Sequence, residues 1–467
     1  MSTNVPLRSI GRTIAATSFG FVVVQLDVTI VNVALPRIGA DLGASVSSLQ
    51  WVVDAYTLSF AVLLLSAGVL ADRLGARRIY VAGFALFAVA SAACGVANDA
   101  TMLILARGAQ GIAAALMVPS SLTLLNHATQ HEPGLRARAI GAWTAAGGVS
   151  IAAGPIVGAL LLEAFGWRSI FFVNLPLCAI AAWMTMRHVP ASPRAVVDAR
   201  AWWMRLDPAG QALAVIALTS LTGALIELHA FGIMHPAIVA ALATAVVATV
   251  AFCRVESRVA TPMLPLALFR LPTFSAAVVF GILVNLSYYG VLFALSLYLQ
   301  RALGYSALQA GLAYLPLTGT FIVSNLISGP LVAHHGPRLP MLIGSAVAAC
   351  GYGLLSLLDA QTTAWTMLPI FALIPFGMGL AVPAMTTAIL ASVERSRAGT
   401  ASAVLNAARQ AGGTVGVALF GALVAGDAAA IVAGLHIAAL TSCGLLVAAG
   451  VLVWFSISQS KRTPAVA

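Results

Sequence analysis

The sequence predicts an all-α, polytopic membrane protein, and three observations support this fold class. Of the 467 residues, 61% are hydrophobic and only 8% are charged, whereas a soluble domain is about 45–50% apolar and about 25% charged. Apolar runs that reach the ~20 residues needed for a helical span of the bilayer core recur along the chain. Lys and Arg lie mostly in the short breaks between these runs. The chain has too few polar groups to cover a globular surface in water.

Charged residues and Gly/Pro breaks divide the sequence into fourteen predicted spans. They cover residues 12–34, 48–71, 78–97, 101–126, 136–160, 168–188, 208–228, 234–254, 273–298, 307–333, 338–358, 364–391, 398–426 and 432–457.

The distribution of Lys and Arg predicts that both termini are cytoplasmic. With this orientation only Arg37, Arg168 and Arg301 lie outside, and Arg107 and Arg409 lie within spans, which leaves 19 of the 24 basic residues on the cytoplasmic side. Cytoplasmic loops of membrane proteins carry this excess of basic residues. The opposite orientation would reverse the bias.

Two long polar connections, at residues 186–208 and 254–272, enclose the seventh and eighth spans. We therefore predict an N-terminal six-helix bundle at 1–190, a linker with two extra spans at 191–270, and a C-terminal six-helix bundle at 271–467. The two bundles share a weak repeat, in which Gly75 and Arg77 correspond to Gly336 and Arg338. Internal repeats with a binding site between them are typical of transporters.

Composition also excludes several functions. The net charge is +10, but the arginines lie in loops, so topology explains the charge and we predict no nucleic-acid partner. The five cysteines show no metal-site or disulfide spacing, and we predict neither a metal nor a cofactor. The sole lysine is Lys461, so the chain cannot contain the GxxxxGK[ST] loop of ATPases. An ion or substrate gradient would have to supply the energy.

Four ionisable residues lie inside predicted spans, where they are costly and usually face the protein interior or water. Asp27, Asp54 and Arg107 are predicted at a similar depth, roughly 10 Å below the outer boundary at 1.5 Å per residue. Arg107 shares a helix face with Gln110 and is the best partner for Asp27. The pair is either a structural ion pair or a proton or substrate site, because burial disfavours a carboxylate and a nearby arginine favours it. Asp54, nearer the interface, is either solvated or part of a substrate cavity.

Arg409 is the fourth of these residues, and Asn406 lies one turn before it. Gly413 follows on the same face, so a ligand or a neighbouring backbone can approach closely. Arg409 therefore either contacts substrate or joins two helices.

The fifth span has small residues every three or four positions, at Gly141, Gly154 and Gly158, and a proline at Pro155. Small residues let membrane helices pack closely, and proline tends to bend a helix. The pattern indicates either tight packing alone or a bend point in a transporter.

The connection at residues 68–78 concentrates charge between two apolar runs. It contains Gly68, Asp72, Arg73, Gly75 and Arg77. The glycines suit a turn with tight backbone approach and positive φ. Charge alone is typical of an ordinary cytoplasmic loop.

Together these motifs resemble the major facilitator superfamily, and most closely its fourteen-helix drug:proton antiporter branch, the EmrB/QacA type. The resemblance covers essentially the whole chain and is carried by residues 26–36, 68–78, 105–111, 141–159, 167–176 and 409–413.

The resemblance implies the major facilitator fold, with two six-helix bundles and two extra central helices. It also implies a proton-coupled multidrug or small-molecule exporter that works by alternating access in the cell membrane. Asp27 and Arg107 would couple protons, and Asp27, Asp54, Gln110, Asn406 and Arg409 would line the substrate cavity. The motif at Gly141, Gly154, Pro155 and Gly158 is associated with export, and residues 68–78 would act as a conformational latch.

Two alternatives to export remain: a facilitator or symporter for a nutrient or metabolite, and a membrane-embedded enzyme or sensor, for which no catalytic motif is evident. The expected partners are a small amphipathic substrate, protons and lipid, and we expect a single chain to suffice.

Overall fold

The computed structural model describes residues 7–129, 133–190, 207–259, 262, 264–394 and 397–457, and the regular structure in these residues is helical. The α-helices are α1 (Leu7–Leu42), α2 (Val46–Leu74), α3 (Ala76–Gly95), α4 (Ala100–Ala128), α5 (Pro133–Phe165), α6 (Ser169–Phe172), α7 (Asn174–His188), α8 (Pro208–Phe231), α9 (Pro236–Glu256), α10 (Pro272–Leu297), α11 (Ala307–Ala313), α12 (Leu315–His335), α13 (Arg338–Leu355), α14 (Ala364–Ser392), α15 (Ala398–Leu423) and α16 (Ala428–Ser456). A 3₁₀ helix at Leu266–Arg270 precedes α10, and a π-helical turn at Tyr298–Ala302 extends it.

Twelve helices in the described part of the chain are long and apolar enough to cross a membrane. The predicted count of fourteen is therefore not confirmed. The other two predicted spans are helical, as α12 and α15, but do not belong to these twelve. Helix α15 is less apolar than these twelve helices because Asn406, Arg409 and Gln410 interrupt its apolar sequence.

Helices α1–α7 pack mainly among themselves, with α2 on α4, α1 on α5 and α3 on α4. Helices α10–α16 do the same, with α10 on α15, α13 on α14 and α12 on α14. We call these groups the N-terminal and C-terminal halves. Helices α8 and α9 pack on each other, and α8 also contacts α2 and α15. The predicted domain boundaries remain a prediction, and residues 191–206 lie outside the described part.

Several predicted boundaries were wrong. Helix α1 runs to Leu42 rather than ending at residue 34, so Asp27 lies about 15 residues, or about 22 Å, from its end. The sixth predicted span, 168–188, agrees with the span Ser169–His188, in which the helix is interrupted at Val173, and the tenth predicted span is interrupted at Tyr314. Apolar composition does not reveal such breaks, because the flanking residues stay hydrophobic.

The charged connection at residues 68–78 is mostly helix, which corrects the predicted turn. Helix α2 continues to Leu74 and α3 begins at Ala76, so Gly68 lies within a helix and only Gly75 joins the two. Gly75 has a φ of 93°, a conformation that glycine adopts without a steric penalty. Its predicted repeat partner Gly336 has a φ of 73° and likewise joins two helices.

The repeat also includes the hydrogen bonds of Arg77 and Arg338. Arg77 donates a hydrogen bond of 2.5 Å to the carbonyl of Met186, near the end of α7. Arg338 donates one of 2.7 Å to the carbonyl of Trp454, near the end of α16. Each arginine thus ties the start of a helix to the last helix of its own half.

Candidate functional site

Asp27 and Arg107 form a buried ion pair inside the N-terminal half. Their carboxylate and guanidinium are in direct contact, between α1 and α4, and the side chains are 0% and 1% exposed. The predicted pairing is therefore present in the structure. Isolated charges in such a place cost several kcal/mol each, so the two residues depend on each other.

Three further polar side chains complete the coordination of this pair. Asn174 at the start of α7 donates a 2.9 Å hydrogen bond to Asp27, and Gln110 donates one of 3.3 Å. Gln110 also accepts a 2.8 Å bond from Arg107 and donates a 2.7 Å bond to Ser91 of α3. Helices α1, α3, α4 and α7 thus meet in one polar network, with Asp27 accepting from three donors.

Helix α2 supplies the remaining contacts of Arg107. The Nε atom donates a 3.0 Å hydrogen bond to the carbonyl of Val52. The guanidinium lies over the Tyr56 ring, 4.4 Å from its centroid, as a cation–π contact. Close approach of α2 and α4 makes this possible, because a side chain at Gly111 would collide with the backbone of Tyr56.

The network is sealed in this conformation. Asp27 and Gln110 are 0% exposed, so neither lines a space open to a substrate here. The sequence analysis did not predict that Asn174, Ser91 and Tyr56 belong to the network. A signal for Asn174 existed, because it is the only amide in the apolar stretch 169–184.

Helix α5 packs directly against α1 beside Asp27, through the predicted small residues. A Cβ atom at Gly154 would collide with the side chain of Thr29, and one at Gly158 would lie 2.8 Å from Ile30. Pro155 faces Gly311 of α11, in the C-terminal half. Gly141 is different, since it is exposed and nothing lies within 4 Å of where a Cβ would be.

The two halves hydrogen-bond to each other on one side of the molecule, which we call the distal side. It is the side that holds the α1–α2 connection, at residues 43–45. Gln50 of α2 donates bonds of 3.1 and 2.8 Å to the carbonyls of Val417 and Ala418 in α15. Ser296 donates to the carbonyl of Asn32, and Gln300 donates one of 3.0 Å to that of Val33.

Asp54 lies beside this contact between the halves. It is 0% exposed, its Oδ2 atom has no hydrogen-bond partner in the described part of the chain, and its Oδ1 atom accepts a long 3.4 Å bond from Thr57. Thr57 in turn accepts a 3.0 Å bond from Thr414 of α15. Of the two alternatives for Asp54, solvation does not agree with its burial between α2 and α15, and a place in the substrate cavity stays a prediction.

Arg409 and Asn406 lie on α15 further from the distal side. Asn406 is exposed, and its amide donates to the carbonyl of Ser402 in its own helix. Arg409 is half-buried beside Gly281 of α10, and no residue that the structure describes bonds to its Nε atom. The structure therefore does not bring Arg409 into the Asp27–Arg107 network.

The predicted latch residues lie on the opposite, proximal side, around Gly75. Arg77 makes the hydrogen bond to Met186 described above, and the enclosed Nη1 atom of Arg73 has no hydrogen-bond partner among the described residues. The side chain of Asp72 lies outside the described part of the structure.

Comparison with known proteins identifies the family to which this chain belongs. The chain belongs to the Major Facilitator Superfamily, whose sequence profile matches residues 17–417. Its fold resembles that of the nucleoside transporter NupG, with a TM-score of 0.67 over 96% of this chain and 100% of that one, at 13% identity. The chain is thus a multi-pass protein of the cell membrane, and the family points to a transporter rather than an enzyme.

The similar sequences are drug-resistance proteins. A methylenomycin A resistance protein of Bacillus subtilis is 37% identical over 453 residues, covering 96% of this chain and 94% of that protein. A tetracenomycin C resistance and export protein of Streptomyces glaucescens is 36% identical, covering 88% and 76%. These relatives support multidrug efflux by the major facilitator fold.

Proposed function

We propose that this protein is a proton-coupled exporter of small amphipathic molecules that works by alternating access. The names of the relatives support resistance and export, and a symporter or facilitator is correspondingly less favoured. We further propose fourteen spans with cytoplasmic termini, on the basis of the Lys and Arg distribution. The proximal side would then face the cytoplasm, and the distal side the exterior.

The buried Asp27–Arg107 network carries the proposal of proton coupling. A carboxylate whose charge is balanced by one arginine can change its net charge by binding one proton. The enclosed Oδ1 atom of Asn174 has no hydrogen-bond partner among the residues described by the structure. A rotated Asn174 amide could therefore accept a hydrogen bond from protonated Asp27, so the site can satisfy both protonation states.

Protonation would change how α1 and α4 hold together. A neutral Asp27 attracts Arg107 weakly, and breaking a buried ion pair on one side costs about 3–5 kcal/mol. That energy is comparable with the ~5.5 kcal/mol that shifts a two-state equilibrium from 1:99 to 99:1. Protonation of Asp27 can thus favour one of two arrangements of the halves.

The distal contacts would separate in the second arrangement. Asp27 is sealed here, so proton exchange requires a conformation in which the contacts made by Gln50, Asn32 and Val33 have opened. Asp54 lies at the same contact, and we propose it as a second group whose charge favours separation, since an enclosed carboxylate without a counter-ion is costly. We propose that residues Gly68, Asp72, Arg73, Gly75 and Arg77 act as the latch on the proximal side.

The experiment uses the full chain in proteoliposomes with an imposed pH gradient, and methylenomycin A and tetracenomycin C as candidate substrates. We expect gradient-driven accumulation in the parent and its loss in Asp27→Asn, which keeps the shape but not the charge. Asp99→Asn is the matched control, because Asp99 is an exposed N-cap of α4 and Asn caps helices equally well. Equal transport with and without the gradient, or full coupled transport by Asp27→Asn, would contradict the proposal.

A further inference from the structure

Arg409 lies deep within the transmembrane region, at the boundary of the two halves. It is about 11 residues, or about 16 Å, from the start of α15, which is about half of the ~30 Å hydrocarbon thickness. Its Cγ atom lies 3.1 Å from where a Cβ of Gly281 in α10 would be, and the Met385 sulfur of α14 lies equally close to that point. Three helices of the C-terminal half therefore converge around its stem.

The helix face next to Arg409 packs at the junction with the N-terminal half. Gly413, one turn after Arg409, packs against the Tyr289 ring, which would lie 2.9 Å from a Cβ there. Tyr289 in turn packs against the core cluster of the N-terminal half that contains Tyr56. Arg409 and Tyr289 thus border the same junction between the halves.

Arg409 has no ion-pair or hydrogen-bond partner among the residues that the structure describes. Its Nε atom is enclosed and unpaired, and its terminal nitrogens, on a half-buried side chain, make no bond to a described residue. An arginine that only joined two helices would bond to a carbonyl or carboxylate of its neighbour, as Arg107 and Arg338 do. The four N–H donors of its terminal nitrogens therefore remain available for a ligand.

The other charges inside the spans do not compete for that ligand. Asp27 and Arg107 neutralise each other and are sealed, and Asp54 is enclosed by α2 and α15. Of the four ionisable residues predicted within the spans, Arg409 alone is partly exposed. Of these four residues, Arg409 therefore carries the accessible positive charge at the junction between the halves.

We propose that Arg409 binds an acidic group of the transported molecule, which makes this protein selective for organic anions, carboxylates above all. A carboxylate fits the planar guanidinium with two parallel N–H···O bonds, and the Tyr289 hydroxyl can donate a third. Lipid phosphate is a poorer fit, because headgroups lie at the bilayer surface and Arg409 lies near its centre. This inference rests on the proposed transport function and names its substrate class.

The test measures ligand binding to the full chain in nanodiscs of neutral lipid. The probes are benzoate, salicylate and fusidate at up to millimolar concentration, their methyl esters, and the cations benzyltrimethylammonium and tetraphenylphosphonium. We expect the acids to bind more tightly than their esters and the cations. Arg409→Gln should weaken acid binding at least about tenfold and leave ester binding unchanged, and Arg409→Lys should restore part of it. Nanodiscs with added anionic lipid should leave acid binding unchanged, whereas competition by that lipid would assign the site to a headgroup and overturn the proposal.

Arg397→Gln is the matched control, because it removes an exposed arginine that precedes the same helix. Acid binding that is unchanged in Arg409→Gln, absent from the parent, or matched by the cations would overturn the anion site. Gradient-driven export of esters or cations would in that case leave the proposed transport function standing. Conversely, Arg409-dependent acid binding without any flux would retain the site and remove the transport function.

Discussion

The N-terminal and C-terminal halves differ in whether the arginine inside their helices has a polar partner. In the N-terminal half Arg107 is paired with Asp27, held by Gln110 and Val52, and covered by Tyr56. In the C-terminal half Arg409 has no polar partner among the described residues and is only half-buried. The halves share a repeat in their connections, at Gly75 and Gly336, but not in their ionisable residues.

This difference suggests that the two halves have different functions. A sealed, satisfied network can store and release a proton without binding substrate. An accessible arginine without a partner is suited to bind substrate and poorly suited to stabilise the fold. Proton coupling would then belong to the N-terminal half and substrate selection to the C-terminal half.

The largest effect on stability is expected when Arg107 is removed from the Asp27–Arg107 pair. Arg107→Leu leaves the Asp27 carboxylate enclosed without its counter-ion, which should destabilise the protein by about 3–5 kcal/mol. Arg409→Leu should change stability by less than about 1 kcal/mol, because no polar contact is lost. Thermal unfolding of the two variants in detergent compares the halves directly, and equal destabilisation would contradict the comparison.

The next effect concerns the packing of α5 beside the network. Gly154→Leu forces a side chain into Thr29 of α1, and overpacking of this kind costs about 1–3 kcal/mol. We expect a lower melting temperature and loss of transport. Gly141→Leu is the control in the same helix, because the space around Gly141 is empty. Comparable loss in both variants would show that α5 responds to any bulky residue and not to its contact with α1.

The smallest effect is expected at the contact between the halves. Thr414→Val removes the bond to Thr57 with little change in shape and should weaken the distal contact by about 1 kcal/mol, or about fivefold in its opening equilibrium. Amide hydrogen exchange in the distal part of α15 should rise accordingly. Thr387→Val is the control, because that hydroxyl bonds only to the Pro383 carbonyl in its own helix. Unchanged exchange in Thr414→Val would place the closing contact elsewhere.

Much of the fold was predictable from composition. Long apolar runs indicated a helical membrane protein, and two similar connections with glycine and arginine, at Gly75 and Gly336, indicated a repeat. The Asp27–Arg107 pairing was also predictable, because few ionisable residues lie in the spans and each needs a partner. The breaks at Val173 and Tyr314 were missed, although Pro176 and Pro316 follow them and proline cannot donate a backbone hydrogen bond to the preceding turn.

The surroundings of the charged residues could not be predicted from the sequence. Asn174 and Ser91 are far from Asp27 in the chain, and only the packing of α3 and α7 on α1 and α4 brings them within reach. Asp54 was expected nearer water, but the enclosing residues come from α15, more than 350 positions away. Arg409 was equally consistent with substrate contact and helix packing until its lack of a bonded partner was known.

Proton release on ligand binding is the most direct test of the central claim that Asp27 exchanges the coupled proton. The purified full chain is mixed with methylenomycin A or tetracenomycin C in weakly buffered detergent solution, and a pH-sensitive dye reports the protons released. The parent should release protons as ligand binds, Asp99→Asn should behave like the parent, and Asp27→Asn should bind ligand without releasing them. Equal proton release by Asp27→Asn and the parent would contradict this account.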